Sequence, residues 1–181
     1  MKLIILDRDG VINVDSVEYV KSPEEWIPLP GSLEAIARLH QAGWKIVVAS
    51  NQSGLARGYF DAAMLNAMHQ KCRQMLNALG GAIDAFFVCP HGPDEDCTCR
   101  KPKPGLFEAI SQRFDKPLAG VPAVGDSLRD LQASALAGCN PWLVMTGNGT
   151  RYKDSPDLPP GTRQAADLAA VVDELLSKQA S

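Results

Sequence analysis

The chain of 181 residues is long enough for one domain with a sizeable core and too short for two full ones. Its hydrophobic content of 45% and charged content of 22% are those of an ordinary globular protein, and a formal net charge of -3 gives no long-range pull toward nucleic acid. Apolar runs such as "LIIL" and "IVVA" are strand-sized, and residues 1–6 lack the apolar core and cleavage site of a secretory signal. These features predict a cytoplasmic monomer, one domain over residues 1–181, with neither nucleic acid nor membrane as a partner.

In chain order, Lys2–Leu6 reads as a buried strand, followed by a helix with Leu33, Ile36, Ala37 and His40 on one face and Gly43 as its stop. A second strand spans Lys45–Ser50. The helix after it carries Met64, Met68, Cys72, Met75, Leu76 and Leu79 at three/four spacing. Further strands are expected at Ala85–Cys89, Pro122–Gly125 and Trp142–Met145. Helices are marked by Phe107 and Ile110, by Leu128, Leu131 and Ala135, and by Leu168 to Leu176. The turn-rich stretch Thr146–Arg163 reads as a long surface loop. Strand–helix alternation predicts an α/β fold, a Rossmann-like parallel sheet with helices on both faces. His40 and His69 read as satisfied or surface histidines.

In open parallel sheets, ligands bind at the carboxyl ends of the strands. Strand one runs into "DRDG", which places Asp7 and Asp9 two residues apart, on the same side of an extended turn. Strand two ends in Ser50 and Asn51, and Arg100, Lys101 and Lys103 follow strand three. Strand four leads into "GDSLRD", with Asp126 at its tip and Asp130 one helical turn on. One aspartate at a strand end is usually a helix cap. Three at two strand ends, with a lysine and a hydroxyl between, match the needs of phosphate-monoester hydrolysis: a nucleophile, a proton donor and fixed positive charge. Asp7, Asp9 and Asp126 would hold Mg²⁺, a hard ion that takes oxygen ligands. Lys101 would add a second cation and Ser50 a hydroxyl.

"DRDG", Ser-Asn, the lysine and "GDSLRD" together resemble the four-motif set of the haloacid dehalogenase superfamily. The likeness covers nearly the whole chain and leaves no room for a large cap domain. It implies that Asp7 attacks phosphorus to form an aspartyl-phosphate and that Asp9 serves as acid and then base. It also implies that Mg²⁺ is held by the Asp7 side chain, the Asp9 carbonyl and Asp126, while Ser50 and Lys101 hold the phosphoryl group. Asp130 reads either as an outer orienting group or as a helix cap.

Cys89, His91, Cys97 and Cys99 offer a Cys₃His set, the composition of a closed tetrahedral zinc site. The alternative, a Cys97–Cys99 disulfide, would be a strained ring in a reducing compartment. Four protein ligands leave no open position, so zinc would be structural, fixing Arg100 and Lys101 at the mouth of the site.

The zinc loop (residues 89–99) with "RKP" resembles two branches of the superfamily. "LDRDGVINVD" and "NQSGLARGYF" are similar to the D-glycero-D-manno-heptose-1,7-bisphosphate 7-phosphatases of lipopolysaccharide precursor synthesis. The five residues between His91 and Cys97 are similar to the histidinol-phosphate phosphatases of histidine biosynthesis. The first likeness implies a small sugar phosphate as substrate, met by Asp15 to Tyr19 (Asp15 and Tyr19 foremost), Asn51, Gln52, Ser53 and Arg100. Arg57 is a further cation in reach of a distal phosphate, or a solvated surface arginine. Histidinol phosphate would instead favour an acidic rim at Asp94, Glu95 and Asp96. A reading of another class is a catalytically inactive, zinc-stabilised module that binds a phospho-ligand. Its mark, loss of a motif aspartate, is absent. A phosphatase acting on nucleic-acid ends is disfavoured by net acidity and the lack of interleaved aromatics.

Overall fold

The computed structural model describes residues 1–178; the last three residues of the expected 1–181 domain lie outside it. Six parallel strands stand in the order β3-β2-β1-β4-β5-β6: β1 (Lys2–Leu6), β2 (Trp44–Asn51), β3 (Ala85–Cys89), β4 (Pro122–Gly125), β5 (Asn140–Val144) and β6 (Arg163–Ala165). This is the Rossmann order, with the strand sequence reversing at β1. Register is continuous across the centre, Leu6 pairing with Val48 on one side and Val124 on the other.

The period of two along β1 builds a core on each face. Ile4 and Leu6 join Ile46 and Val48 beneath α1 (Ser32–Gln41), α2 (Ala62–Ala78) and α6 (Leu168–Ser177). Leu3 and Ile5 join Val47 and Ala49 beneath α3 (Gly105–Phe114), and the second core also takes in Ala133 of α4 (Leu128–Leu136). Helices therefore cover both faces, as the alternation predicts. Among the described residues, no helix is long and apolar enough to cross a membrane.

Three details differ from the sequence reading. The buried face of α2 is Leu65, Met68, His69, Cys72 and Leu76, whereas Met64, Met75 and Leu79 are exposed. In α1 it is Leu39 that packs inward, and His40 faces out. The stretch read as one loop contains a four-residue helix, α5 (Gly149–Tyr152), and leads into β6.

The connection from β1 to α1 is long but anchored. Trp26 is fully buried within it, and Lys71 of α2 donates to the carbonyls of Pro23 at 2.6 Å and Trp26 at 2.8 Å. Residues 14–18 of the same connection are exposed and lie over the carboxyl edge of the sheet, beside the strand ends.

Candidate active site

The Asp7 amide donates to the Val124 carbonyl at 2.9 Å, so the β1–β4 ladder carries Asp7 to the carboxyl edge of the sheet. Gly10 then turns the chain at φ +84; a Cβ there would collide with the Asp126 carboxylate. Carboxylate oxygens of Asp7, Asp126 and Asp130 lie within 4.8 Å of one another. Lys101 enters among them from the segment after β3, only 2% exposed. Its Nζ sits 3.0 Å from Asp7 Oδ1 and 2.7 Å from Asp130 Oδ1, and donates to the Ala49 carbonyl at 2.7 Å. A buried ammonium is tolerable only with such partners.

Asp130 serves both duties considered for it. Its Oδ2 accepts from the amides of Asp126 and Ser127 at 3.2 and 3.1 Å, the capping arrangement at the start of α4. Its other oxygen is the one that pairs with Lys101.

Asp9 is held by three donors. Arg8 forms an ion pair with it at 2.8 Å, Asn13 Nδ2 donates at 2.8 Å, and Gln52 Nε2 donates at 2.8 Å. Arg8 is 1% exposed, and its charge is felt by His69 and Cys72 of α2. Sequence reasoning missed this arginine. The available signal was the period of two, which sets Arg8 on the face of Ile4 and Leu6, toward the core that holds Cys72, from where its guanidinium still reaches Asp9. His69 is neither at the surface nor fully satisfied. It is buried, stacks on Phe86 with ring centroids 4.0 Å apart, and its Nε2 finds no partner. Burial and the nearby Arg8 and Arg73 push it down to about 3, so the imidazole is neutral.

Burial raises the Asp7 carboxyl well above the ordinary range; repulsion from Asp130 adds to this and Lys101 opposes it. Burial and Asp130 likewise push Asp126 up to about 7. Burial acts the same way on Asp9, but Arg8 with the Asn13 and Gln52 hydrogen bonds outweighs it and holds Asp9 below its usual value. Two crowded carboxylates with raised proton affinity form a seat that a hard divalent cation suits. The Asp9–Asn13 bridge is made through the Arg8 carbonyl and the Gly10 amide, so among the described residues the Asp9 carbonyl is uncommitted.

Above this cluster lies a cleft of about 270 Å³. Asp15, Tyr19, Asn51, Gln52, Ser53, Arg57 and Arg100 all line it. Ser50 does not: it is buried below, its Oγ accepting from Gln52 Nε2 at 2.8 Å, which leaves its O–H as a donor. The Asn51 side chain is engaged with the Lys101 backbone, accepting from its amide at 3.0 Å and donating to its carbonyl at 3.1 Å. Tyr19 adopts φ +67, meets Tyr59 edge-on at 5.0 Å, and lies under the Arg57 guanidinium at 5.8 Å. Arg129 and Asn148 also line the cleft and were absent from the sequence reading. Asp94, Glu95 and Asp96, the expected acidic rim, are exposed on the cysteine loop and line no part of it.

The four donors of that loop converge. Their ligand atoms lie within 4.8 Å of one another, and the three cysteines are unbridged. At a tetrahedral centre with metal–sulfur bonds of about 2.3 Å, neighbouring ligand atoms stand roughly 3.8 Å apart. Cys89 Sγ is 3.9 Å from Cys97 Sγ and 3.5 Å from His91 Nδ1, while Cys99 Sγ is 3.1 Å from Cys89 Sγ. The set suits a zinc ion. Arg100 is tied to the loop through the His91 carbonyl at 3.2 Å.

The haloacid dehalogenase-like hydrolase family matches residues 6–138, a span from β1 to the end of α4 that takes in the whole acidic cluster. The chain belongs to that family. This hydrolase is 64% identical over 178 residues, 98% of its length and 99% of the relative's, to a D-glycero-beta-D-manno-heptose-1,7-bisphosphate 7-phosphatase of Bordetella bronchiseptica. It is 53% identical to a protein of the same name from Pseudomonas aeruginosa, over 96% of this chain and 97% of the other. The crystal structure of the B. bronchiseptica D,D-heptose 1,7-bisphosphate phosphatase, complexed with magnesium and phosphate, superposes on the hydrolase with a TM-score of 0.97 and covers 98% of this chain and 99% of that one. Relatives at this identity carry the heptose phosphatase name over nearly the whole chain, which does not favour the histidinol-phosphate alternative.

Proposed function

We propose that the protein removes the 7-phosphate of D-glycero-D-manno-heptose 1,7-bisphosphate, in lipopolysaccharide heptose precursor synthesis, through an aspartyl-phosphate. Support for the reaction comes from the cleft in which Asp7, Asp9, Asp126 and Lys101 meet. Support for the substrate comes from the 64% identity that extends over both chains almost end to end. All these residues belong to one chain, which suits a monomer, and unbridged cysteines suit the reducing cytoplasm. Residues 1–181 form one phosphatase domain in this reading.

Asp7 attacks phosphorus; a carboxylate oxygen–phosphorus bond forms as the bond from phosphorus to the C7 oxygen breaks. Lys101, fixed 3.0 Å from Asp7, and the Ser50 hydroxyl steady the negative phosphoryl oxygens. Asp9 passes a proton to the leaving oxygen. It takes that proton on as the dianion enters the cleft, because added negative charge raises its proton affinity. It then removes a proton from the water that cleaves the aspartyl-phosphate, which frees Asp7 and inorganic phosphate. Mg²⁺, seated by Asp7, the Asp9 carbonyl and Asp126, would supply further charge neutralisation at the phosphoryl group. Zinc on Cys89, His91, Cys97 and Cys99 would be structural, holding Arg100 and Lys101 in place. Asp15, Tyr19, Gln52, Ser53 and Arg100 face the sugar, and Arg100 with Arg57 meets the distal phosphate.

The deciding test is kcat/KM with Mg²⁺ for heptose 1,7-bisphosphate and for histidinol phosphate, side by side. A preference for the sugar of a hundredfold or more is expected, about 2.7 kcal/mol of transition-state binding. A preference for histidinol phosphate would overturn the assignment. Phosphorus NMR should show the product keeping its anomeric phosphate.

A further inference from the structure

The turn between β5 and α5, Thr146 to Gly149, packs on the acidic end of the cleft. Thr146 Oγ1 donates to the Gly10 carbonyl at 2.7 Å, and a Cβ on Gly147 would collide with the Asp126 carboxylate. The Asn148 amide N–H donates to Asp126 Oδ2 at 2.8 Å. The Asn148 side-chain Nδ2 reaches the same oxygen at 3.2 Å and Asp15 Oδ2 at 3.1 Å. Both bonds to Asp126 fall on Oδ2, which directs a cation toward Oδ1.

We propose that Asn148 is a positioning residue that sets the Asp126 carboxylate for metal binding and ties it to Asp15 on the substrate-facing loop. The proposal rests on Asp126 being a metal ligand. One N–H of the Asn148 amide group serves each aspartate, so neither carboxylate can swing without straining the bond to the other. A cation that fixes Asp126 thereby fixes Asn148 and, through it, Asp15. Such coupling is reciprocal: a substrate that engages Asp15 tightens the metal seat. Gln52 makes a similar link on the opposite side, from Ser50 to Asp9, but touches no carboxylate of the cation seat.

Asn148 has φ -92, which any residue adopts, and its backbone bond to Asp126 survives substitution. Asn148→Ala and Asn148→Ser should therefore fold. Mg²⁺ is titrated calorimetrically into the full-length, zinc-loaded protein. Asn148→Ala should raise the Mg²⁺ Kd about tenfold. Saturating Mg²⁺ should restore kcat while KM for the bisphosphate stays high, since Asp15 remains loose. Asp15→Asn should shift the Mg²⁺ Kd about fivefold in the natural background and leave it unchanged beside Asn148→Ala. A Kd within about twofold of the unsubstituted protein for both Asn148 variants overturns the proposal. So does an equal effect of Asp15→Asn in the two backgrounds. Asp126→Asn separates the two levels: Mg²⁺ binding unaffected by that change would remove the metal-site reading itself.

Discussion

Two clusters of four groups meet along the chain at Cys99 to Lys101 and solve opposite problems. Around Lys101, the carboxylates of Asp7, Asp126 and Asp130 crowd together beneath an open cleft, with a cation of the protein's own already inserted. In the loop that precedes Lys101, three sulfurs and one imidazole nitrogen close on themselves with no built-in positive charge. The first arrangement is only partly neutralised, one ammonium against three carboxylates, and it is open to the cleft. In the proposed reading the second is held by an ion whose four positions it fills. On the proposed function the open seat does the chemistry and the closed one holds geometry; the chain joins them directly, Cys99 being followed by Arg100 and Lys101.

The sharpest way to break this comparison is to remove the proposed nucleophile. Asp7→Asn should lower kcat by about 10⁴-fold or more while the melting temperature holds or rises, because a crowded carboxylate is neutralised without loss of volume. Phosphate release and calorimetric melting measure the two; substantial turnover in a clean sample would move the chemistry elsewhere. Cys97→Ser tests the closed side. Zinc content should fall below one per chain and stability by about 2–5 kcal/mol, by analogy with loss of other structural cross-links. Activity should fall only as far as Arg100 and Lys101 are displaced, and added Mg²⁺ should not restore it. Full stability without zinc would erase the distinction between the two clusters.

The smallest effect locates where the charge of the open side stops. His69 lies behind Asp9 as a neutral imidazole, so between about pH 6.5 and 3 the unfolded chain binds a proton that the folded chain does not. Stability is therefore lost as pH falls through that window. At pH 5 the loss is about 2 kcal/mol. His69→Phe keeps the stacking on Phe86 and removes the titration. The variant should match the parent in urea titrations near pH 8 and exceed it at pH 5. Equal acid sensitivity in both would place a charged group behind Asp9.

What could be read in the sequence was whatever the strand ends carry. Asp7, Asp126 and Lys101 were found because strand–helix alternation fixes where a sheet presents its ligands. The short elements escaped: β6 is three residues, Arg-Gln-Ala, at an edge and without a buried position. The face of α2 is legible at Met68, Cys72 and Leu76, but Met64, Met75 and Leu79 are apolar yet exposed, while the buried face includes a histidine. Arg8 escaped because charge normally marks the surface, which hid the period of two that sets it on the buried face of Ile4 and Leu6. Asn148 lay in a stretch whose composition signals a turn and says nothing of what the turn rests on.

Val17 projects from the β1–α1 connection with 98% of its surface in solvent, between residues that line the cleft. The connection is pinned further along by Trp26 and Lys71, so its tip carries little of the packing that holds the sheet together. Substitutions, insertions and deletions around residues 15–19 should therefore be heard by the substrate and hardly by the fold. For an engineer, that tip is the natural place to build a library for other phosphorylated polyols, with the aspartates left untouched.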